Sequence, residues 1–104
     1  MPLEYLFTYG TLQNRQVQQY VFGRILKGIP DHITGYKYLE NAIYQRYPLV
    51  QRSNNMKHTV KGMVYELSKS DLLRCDVYET SAYKREKVIL QSGTVAWVYI
   101  ENSG

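Results

Sequence analysis

Cysteine is almost missing: Cys75 stands alone in 104 residues. No internal disulfide can form, and nothing ties the chain to an oxidising compartment. The two histidines, His32 and His58, are isolated and lack metal-ligand spacing. Basic residues never cluster; the 13 Lys and Arg are scattered from Arg15 to Lys87 against nine acidic residues, for a net charge of +4. A diffuse basic balance with no nucleic-acid motif describes a solvated surface, so no nucleic-acid partner is expected. No stretch approaches the ~20 apolar residues of a membrane span. The opening Met1-Pro2-Leu3-Glu4-Tyr5 has neither the basic start nor the apolar run of a signal peptide. The expectation is a cytoplasmic protein that does not engage a membrane. No serine elbow, P-loop or dinucleotide fingerprint is present, and nothing repeats or reads as a linker.

What is abundant is tyrosine, with 11 copies against two Phe and one Trp. Its apolar ring and polar tip suit a half-wet cavity as well as the edge of a core. The chain is 44% hydrophobic and 21% charged, as a soluble globular protein is. Its length predicts one domain over residues 1–104 with one shared core.

Hydrophobic spacing predicts the elements. Leu3 to Tyr9 reads as a buried strand closed by Gly10. Val17, Tyr20, Val21 and Ile25 recur at helical spacing between Asn14 and about Leu26, with Thr11 as a cap and Gly28 and Pro30 as the stop. Gly23 lowers the helix propensity within this run. Ile33 to Tyr44 suggests one or two strands around a turn. Tyr47-Pro48-Leu49-Val50 follows, where proline argues for an edge or a bend. Arg52 to His58 reads as a loop. Thr59 to Leu67 alternates, with Val60, Gly62 and Val64 opposed to Met63, Tyr65 and Leu67. Ser68-Lys69-Ser70-Asp71 is a capping-box pattern that starts a helix running to about Tyr78. Lys84 to Gln91 alternates again, Ser92-Gly93 turns the chain, and Val95 to Ile100 is the last strand. The sum is a strand-dominated α+β domain.

Two segments could carry chemistry. Tyr9-Gly10-Thr11-Leu12 joins a strand to a helix, and such a turn gathers free N–H groups that attract a carboxylate or phosphate. Gly10 equally suits a plain tight turn. At the other segment, Glu79 lies between Tyr78 and Thr80-Ser81-Ala82. A carboxylate held among aromatics near a helix end can be desolvated, which raises its pKa toward acid/base use; a surface glutamate has the same local sequence. Asp76, three residues earlier, either shares a helix face with Glu79 as a carboxylate pair or bonds backbone amides. Cys75, on an amphipathic helix with no histidine near in sequence, reads as a buried structural thiol.

Taken in order, the motifs are far more specific than any one alone. Tyr5-Leu6-Phe7-Thr8-Tyr9-Gly10-Thr11-Leu12 resembles the F-V-Y-G-T-L opening of the γ-glutamylcyclotransferase-like superfamily. Tyr47-Pro48 is similar to a Y-P motif of its γ-glutamylamine cyclotransferase branch. Val60 to Leu67 resembles the V-x-G-x-V-Y-x-L strand. Leu72 to Glu79, then Tyr83 to Arg85, resembles L-x-x-L-D-x-Y-E followed by Y-x-R. Ala96 to Ile100 resembles the closing A-x-x-Y-I. Two departures are Gln13-Asn14-Arg15-Gln16, where a basic, glycine-bearing segment is usual, and Cys75, where leucine is usual.

The resemblance implies an α+β fold, a small β-barrel-like mixed sheet with two flanking helices and a cavity. It implies that Tyr9, Gly10, Thr11 and Leu12 bind a γ-glutamyl head group, that Glu79 is the catalytic acid/base, and that Tyr99 contacts substrate. The implied reaction is attack of the substrate's α-amine on its own γ-carbonyl, releasing 5-oxoproline and an amine, with no metal or organic cofactor. The implied partner is a small-molecule γ-glutamyl compound. The alternative is a binding or regulatory module of the same fold without turnover.

Overall fold

Each predicted apolar run needs a surface to bury against, and the computed structural model supplies it with two faces of one sheet. The structure describes residues 3–43 and 47–102. In chain order the elements are β1 (Glu4–Thr8), a 3-10 turn (Thr11–Gln13), α1 (Arg15–Phe22), β2 (Ile29–Thr34), β3 (Tyr36–Ile43), β4 (Tyr47–Arg52), β5 (Thr59–Leu67), α2 (Lys69–Glu79), β6 (Tyr83–Ile89) and β7 (Val95–Glu101). Tyr44, the expected end of the third segment, lies outside the described residues.

Five strands make one sheet in the order β2-β5-β1-β7-β6, and β3 with β4 makes a two-stranded second sheet. β1 runs antiparallel to β5 and parallel to β7, so the large sheet is mixed. Its outer strands β2 and β6 are not paired to each other. The expected α+β fold, a barrel-like mixed sheet with two helices, is therefore present, with the sheet not closed into a true barrel.

Alternation along the central strands divides the core in two. Leu6, Tyr65, Leu67 and Tyr99 face the helices, where Val21, Phe22, Leu72 and Cys75 meet them. Phe7, Val64, Val88 and Val98 face the other way and pack with Val50 of β4. Full burial of such side chains stabilises by roughly 1.5–3 kcal/mol each. Gly62 leaves no room for a side chain: a Cβ there would run into the Thr8 carbonyl oxygen and sit 2.8 Å from Phe7 Cζ.

Three boundaries depart from expectation. α1 stops at Phe22 rather than near Leu26, because Gly23 takes a left-handed φ of 72° and its N–H bonds Gln19 O. The cap is Asn14, whose side chain accepts from Gln16 N and Val17 N, and not Thr11, which opens the 3-10 turn instead. Pro30 does not stand outside a strand but within β2, at the sheet edge where its missing N–H costs no ladder bond.

The capping box forms as expected: Asp71 N–H donates to Ser68 Oγ and Ser68 N–H to Asp71 Oδ2. Buried Asp71 also receives both arms of Arg24, at 2.8 and 3.2 Å, which fastens the end of α1 to the start of α2. The Arg24 fork is the main reason the Asp71 carboxyl is held down at about 2.

Candidate functional site

β1 and β7 are parallel neighbours, so their C-terminal ends lie together, and the crevice beyond such ends is where open α/β sheets place ligands. Tyr9 follows β1 directly. Its hydroxyl donates to the Tyr99 carbonyl at 2.6 Å, and its ring meets Tyr38 edge-on at 6.2 Å. Burial first, then the neighbouring Tyr83 and Glu79, pushes the ionisation of Tyr9 far above the ordinary phenol range.

Gly10 has φ −127° and ψ −141°, so it is not there to supply a left-handed turn. The chain then winds into the 3-10 turn, where Gln13 N bonds Gly10 O and Asn14 N bonds Thr11 O. Those bonds leave the N–H groups of Thr11 and Leu12 with no backbone acceptor among the described residues. The turn is fixed from below by Gln18. This side chain is 1% exposed, donates to Leu12 O and accepts from Leu26 N, both at 2.9 Å. Gln18 is absent from the residues expected at the site; its only signal in sequence is a lone amide on an apolar helix face.

α2 crosses the sheet so that its last turn reaches this loop. Tyr78 Oη lies 2.8 Å from Thr11 Oγ1. Glu79 is the final residue of α2 and is half-buried. Among the described residues no group donates a hydrogen bond to its carboxylate, and burial raises its pKa to about 7. Glu79 and the Tyr9–Leu12 loop are thus brought together from far apart in sequence, and the carboxyl is neither fully solvated nor paired among those residues.

Asp76 has a different fate. Arg85 grips it with Nε at 2.6 Å and Nη2 at 2.9 Å, and the Tyr99 hydroxyl donates to Oδ1 at 2.7 Å. Burial alone would raise its pKa, but these donors outweigh it and hold the carboxyl below its usual range. Asp76 is therefore neither the second member of a proton-sharing pair nor a ligand of backbone amides. Tyr99 is 4% exposed, and burial followed by its bond to Asp76 pushes its ionisation far up.

An open cleft of about 530 Å³ lies beside this network; Asp76, Thr80, Arg85, Trp97 and Tyr99 are among its walls, but Glu79 and the Tyr9–Leu12 loop are not. Arg85 and Lys87 lie over the Trp97 ring at 4.5 and 5.0 Å. Cys75 is fully buried, and its thiol is pushed up to about 12 by burial and then by the nearby carboxylates. Among the described residues no three His, Cys, Asp or Glu side chains converge on a point. No described helix is long and apolar enough to cross a membrane.

Known proteins share this fold. A family model described as gamma-glutamyl cyclotransferase, AIG2-like, matches residues 6–103. A protein of Arabidopsis thaliana solved in solution has a TM-score of 0.83 at 21% identity, over 98% of this chain and 64% of its own. An AIG2-like protein from Mus musculus has a TM-score of 0.76 at 21% identity, over 100% of this chain and 80% of its own. A gamma-glutamyl cyclotransferase structure gives 0.68 at 15% identity, over 96% and 67%. The chain spans less than two thirds of the Arabidopsis protein, and identities this low establish a shared fold. No curated protein sequence matches.

Proposed function

The chain belongs to the gamma-glutamyl cyclotransferase, AIG2-like family, and from that premise we propose that it cyclises a γ-glutamyl amine or peptide to 5-oxoproline with release of an amine. The observation that carries the proposal is the nearness of Glu79 to Tyr9, whose ionisation its charge raises, beside the contact of Tyr78 with Thr11 at 2.8 Å.

In this reading the loop N–H groups hold the α-carboxylate of the γ-glutamyl head group, helped by their position at the start of a turn. Holding the chain bent places the α-amine against its own γ-carbonyl, and intramolecular attack of that kind supplies much of the rate advantage. The α-amine is mostly protonated at neutral pH, since such amines ordinarily titrate at about 8. Glu79, raised to about 7, is ionised in an appreciable fraction of molecules at neutral pH and accepts that proton. The amine nitrogen bonds the γ-carbon, and Glu79 returns the first proton to the departing nitrogen as the γ-carbon–nitrogen bond of the amide breaks. The second proton of the attacking nitrogen then passes to Glu79, which leaves the neutral lactam N–H and releases that proton to solvent. A base whose pKa lies near the working pH contributes roughly 10²–10⁴-fold. Tyr99 serves the site by holding its parts in place, since its carbonyl accepts from the Tyr9 hydroxyl and its own hydroxyl is committed to Asp76. The Asp76–Arg85 pair anchors the last turn of α2 and so sets where Glu79 points.

The test is 5-oxoproline release from a panel of γ-glutamyl amines and peptides, with Glu79→Gln in parallel. Turnover by the parent and a loss of about a hundredfold or more in the variant support the reading. Binding of a γ-glutamyl compound with no turnover of any panel member would favour a non-catalytic binding module instead.

A further inference from the structure

We propose that Thr80 is a positioning residue for Glu79, kept in a strained backbone conformation because its hydroxyl closes the turn that leads from the end of α2 into β6. Among the described residues Thr80 is the one non-glycine residue with positive φ. Its φ of 64° and ψ of −176° fall in a region nearly reserved for glycine, and a β-branched side chain makes the conformation an outlier. A sequence under no other demand would place glycine here. Strain of this kind persists where the surroundings over-determine it, and such residues gather at functional sites.

The surroundings of Thr80 do over-determine it. Its N–H is shared between Asp76 O and Val77 O, which ends α2 immediately after Glu79. Its Oγ1 accepts from Ala82 N–H at 3.3 Å, and its carbonyl accepts from Tyr83 N–H at 3.4 Å, which turns the chain into β6. Thr80 also lines the cleft. The side-chain bond is the part glycine cannot reproduce. Without it the 80–82 turn gains freedom, and Glu79, the adjacent residue, relaxes toward water. Among the described residues, the ionisable groups whose titration Glu79 affects are Tyr9 after β1 and Cys75 on α2 itself. Tyr9 and Cys75 remain neutral at neutral pH, so their charges do not compete with the effect of burial.

The inference rests on the assignment of Glu79 above, and its test does not depend on turnover. The carboxyl of Glu79 is titrated by carbon-detected NMR in the parent, Thr80→Gly and Thr80→Ser, and each is melted. Thr80→Gly is expected to melt no lower than the parent, because strain is relieved, while the Glu79 pKa falls by about one unit or more. Thr80→Ser keeps the hydroxyl and is expected to keep the parent's titration. Where turnover is measured, Thr80→Gly lowers kcat by about tenfold and leaves KM within about twofold. Unchanged Glu79 titration in Thr80→Gly, or a loss of the raised value in Thr80→Ser, overturns the proposal; so does a lower melting temperature for Thr80→Gly. A parent that never releases 5-oxoproline counts against the cyclotransferase reading alone, and the titration then decides the role of Thr80.

Discussion

Glu79→Gln should make the protein more stable at high pH and leave it unchanged at low pH. Below about pH 4 the carboxyl is neutral in the folded chain and largely so in the unfolded one, and a glutamine of the same shape replaces it at little cost. As pH rises the unfolded chain releases its proton near 4.5, whereas the folded chain holds it until about 7. Between those values the folded state binds more protons, so the parent loses stability as pH rises through the window. At about 1.36 kcal/mol per pH unit the whole displacement amounts to about 3 kcal/mol. Glu79 keeps some contact with solvent, which lowers the figure to about 2 kcal/mol. A domain of this length moves by roughly 4–8 °C per kcal/mol. Thermal melts of parent and variant should therefore coincide at about pH 4 and separate by about 10 °C at about pH 8.5, the variant higher. Other titrating groups change both proteins alike and cancel in the difference. A gap that is the same at both pH values would show that the carboxyl is not desolvated. The acid/base assignment would lose its physical basis with it.

Gln18→Leu should destabilise by about 2–3 kcal/mol, because Leu12 O and Leu26 N lose their partner while remaining enclosed; chemical denaturation measures it. If the Tyr9–Leu12 loop holds substrate, KM in the same variant should rise more than kcat falls. Gly62→Ala should cost about 1–3 kcal/mol through overpacking against the Thr8 carbonyl, seen as a lower denaturant midpoint with an unchanged slope. Cys75, with its thiol near 12 and no exposed surface, should resist alkylation at about pH 8 in the native protein. Its labelling rate should rise with denaturant in step with global unfolding, and fast labelling without denaturant would contradict its burial.

Much of this architecture is written in local pattern. The alternation of Thr59–Leu67 predicts a strand with two faces, and the two cores divide along it, with Val60 and Val64 on one side and Tyr65 and Leu67 on the other. The Ser68–Asp71 capping box predicts the start of α2 because both bonds lie within four residues. Elsewhere two local rules compete. Propensity treats Gly23 as a weak helix former, but a left-handed residue at that point ends the helix outright. Pro30 resembles a stop, yet an edge strand tolerates it, and edges are set by topology rather than by neighbours in sequence. The candidate site shows the same division. Glu79 and the Tyr9–Leu12 loop are recognisable as a motif order, while the local sequence leaves each with a second meaning. The bonds that decide between those meanings cross the chain: Tyr9 to Tyr99, Thr11 to Tyr78, Gln18 to Leu12.

Asp76 and Glu79 illustrate why spacing alone could not assign their roles. They are the same chemistry, less than one helical turn apart, and periodicity treats them as equivalent. The hairpin of β6 and β7 breaks the equivalence. It delivers Arg85 and Tyr99 to Asp76, which fixes that carboxylate as a charged structural tie. It delivers no donor to Glu79 among the described residues, so burial acts unopposed and the carboxyl titrates near 7. In the proposed reaction, two carboxyls pushed apart in this way divide the labour: one stays ionised and holds the helix end, the other exchanges a proton at working pH. The division requires that Arg85 be committed to Asp76. Were the guanidinium free to reach Glu79, the charge beside it would lower the Glu79 pKa and remove the property on which acid/base use depends.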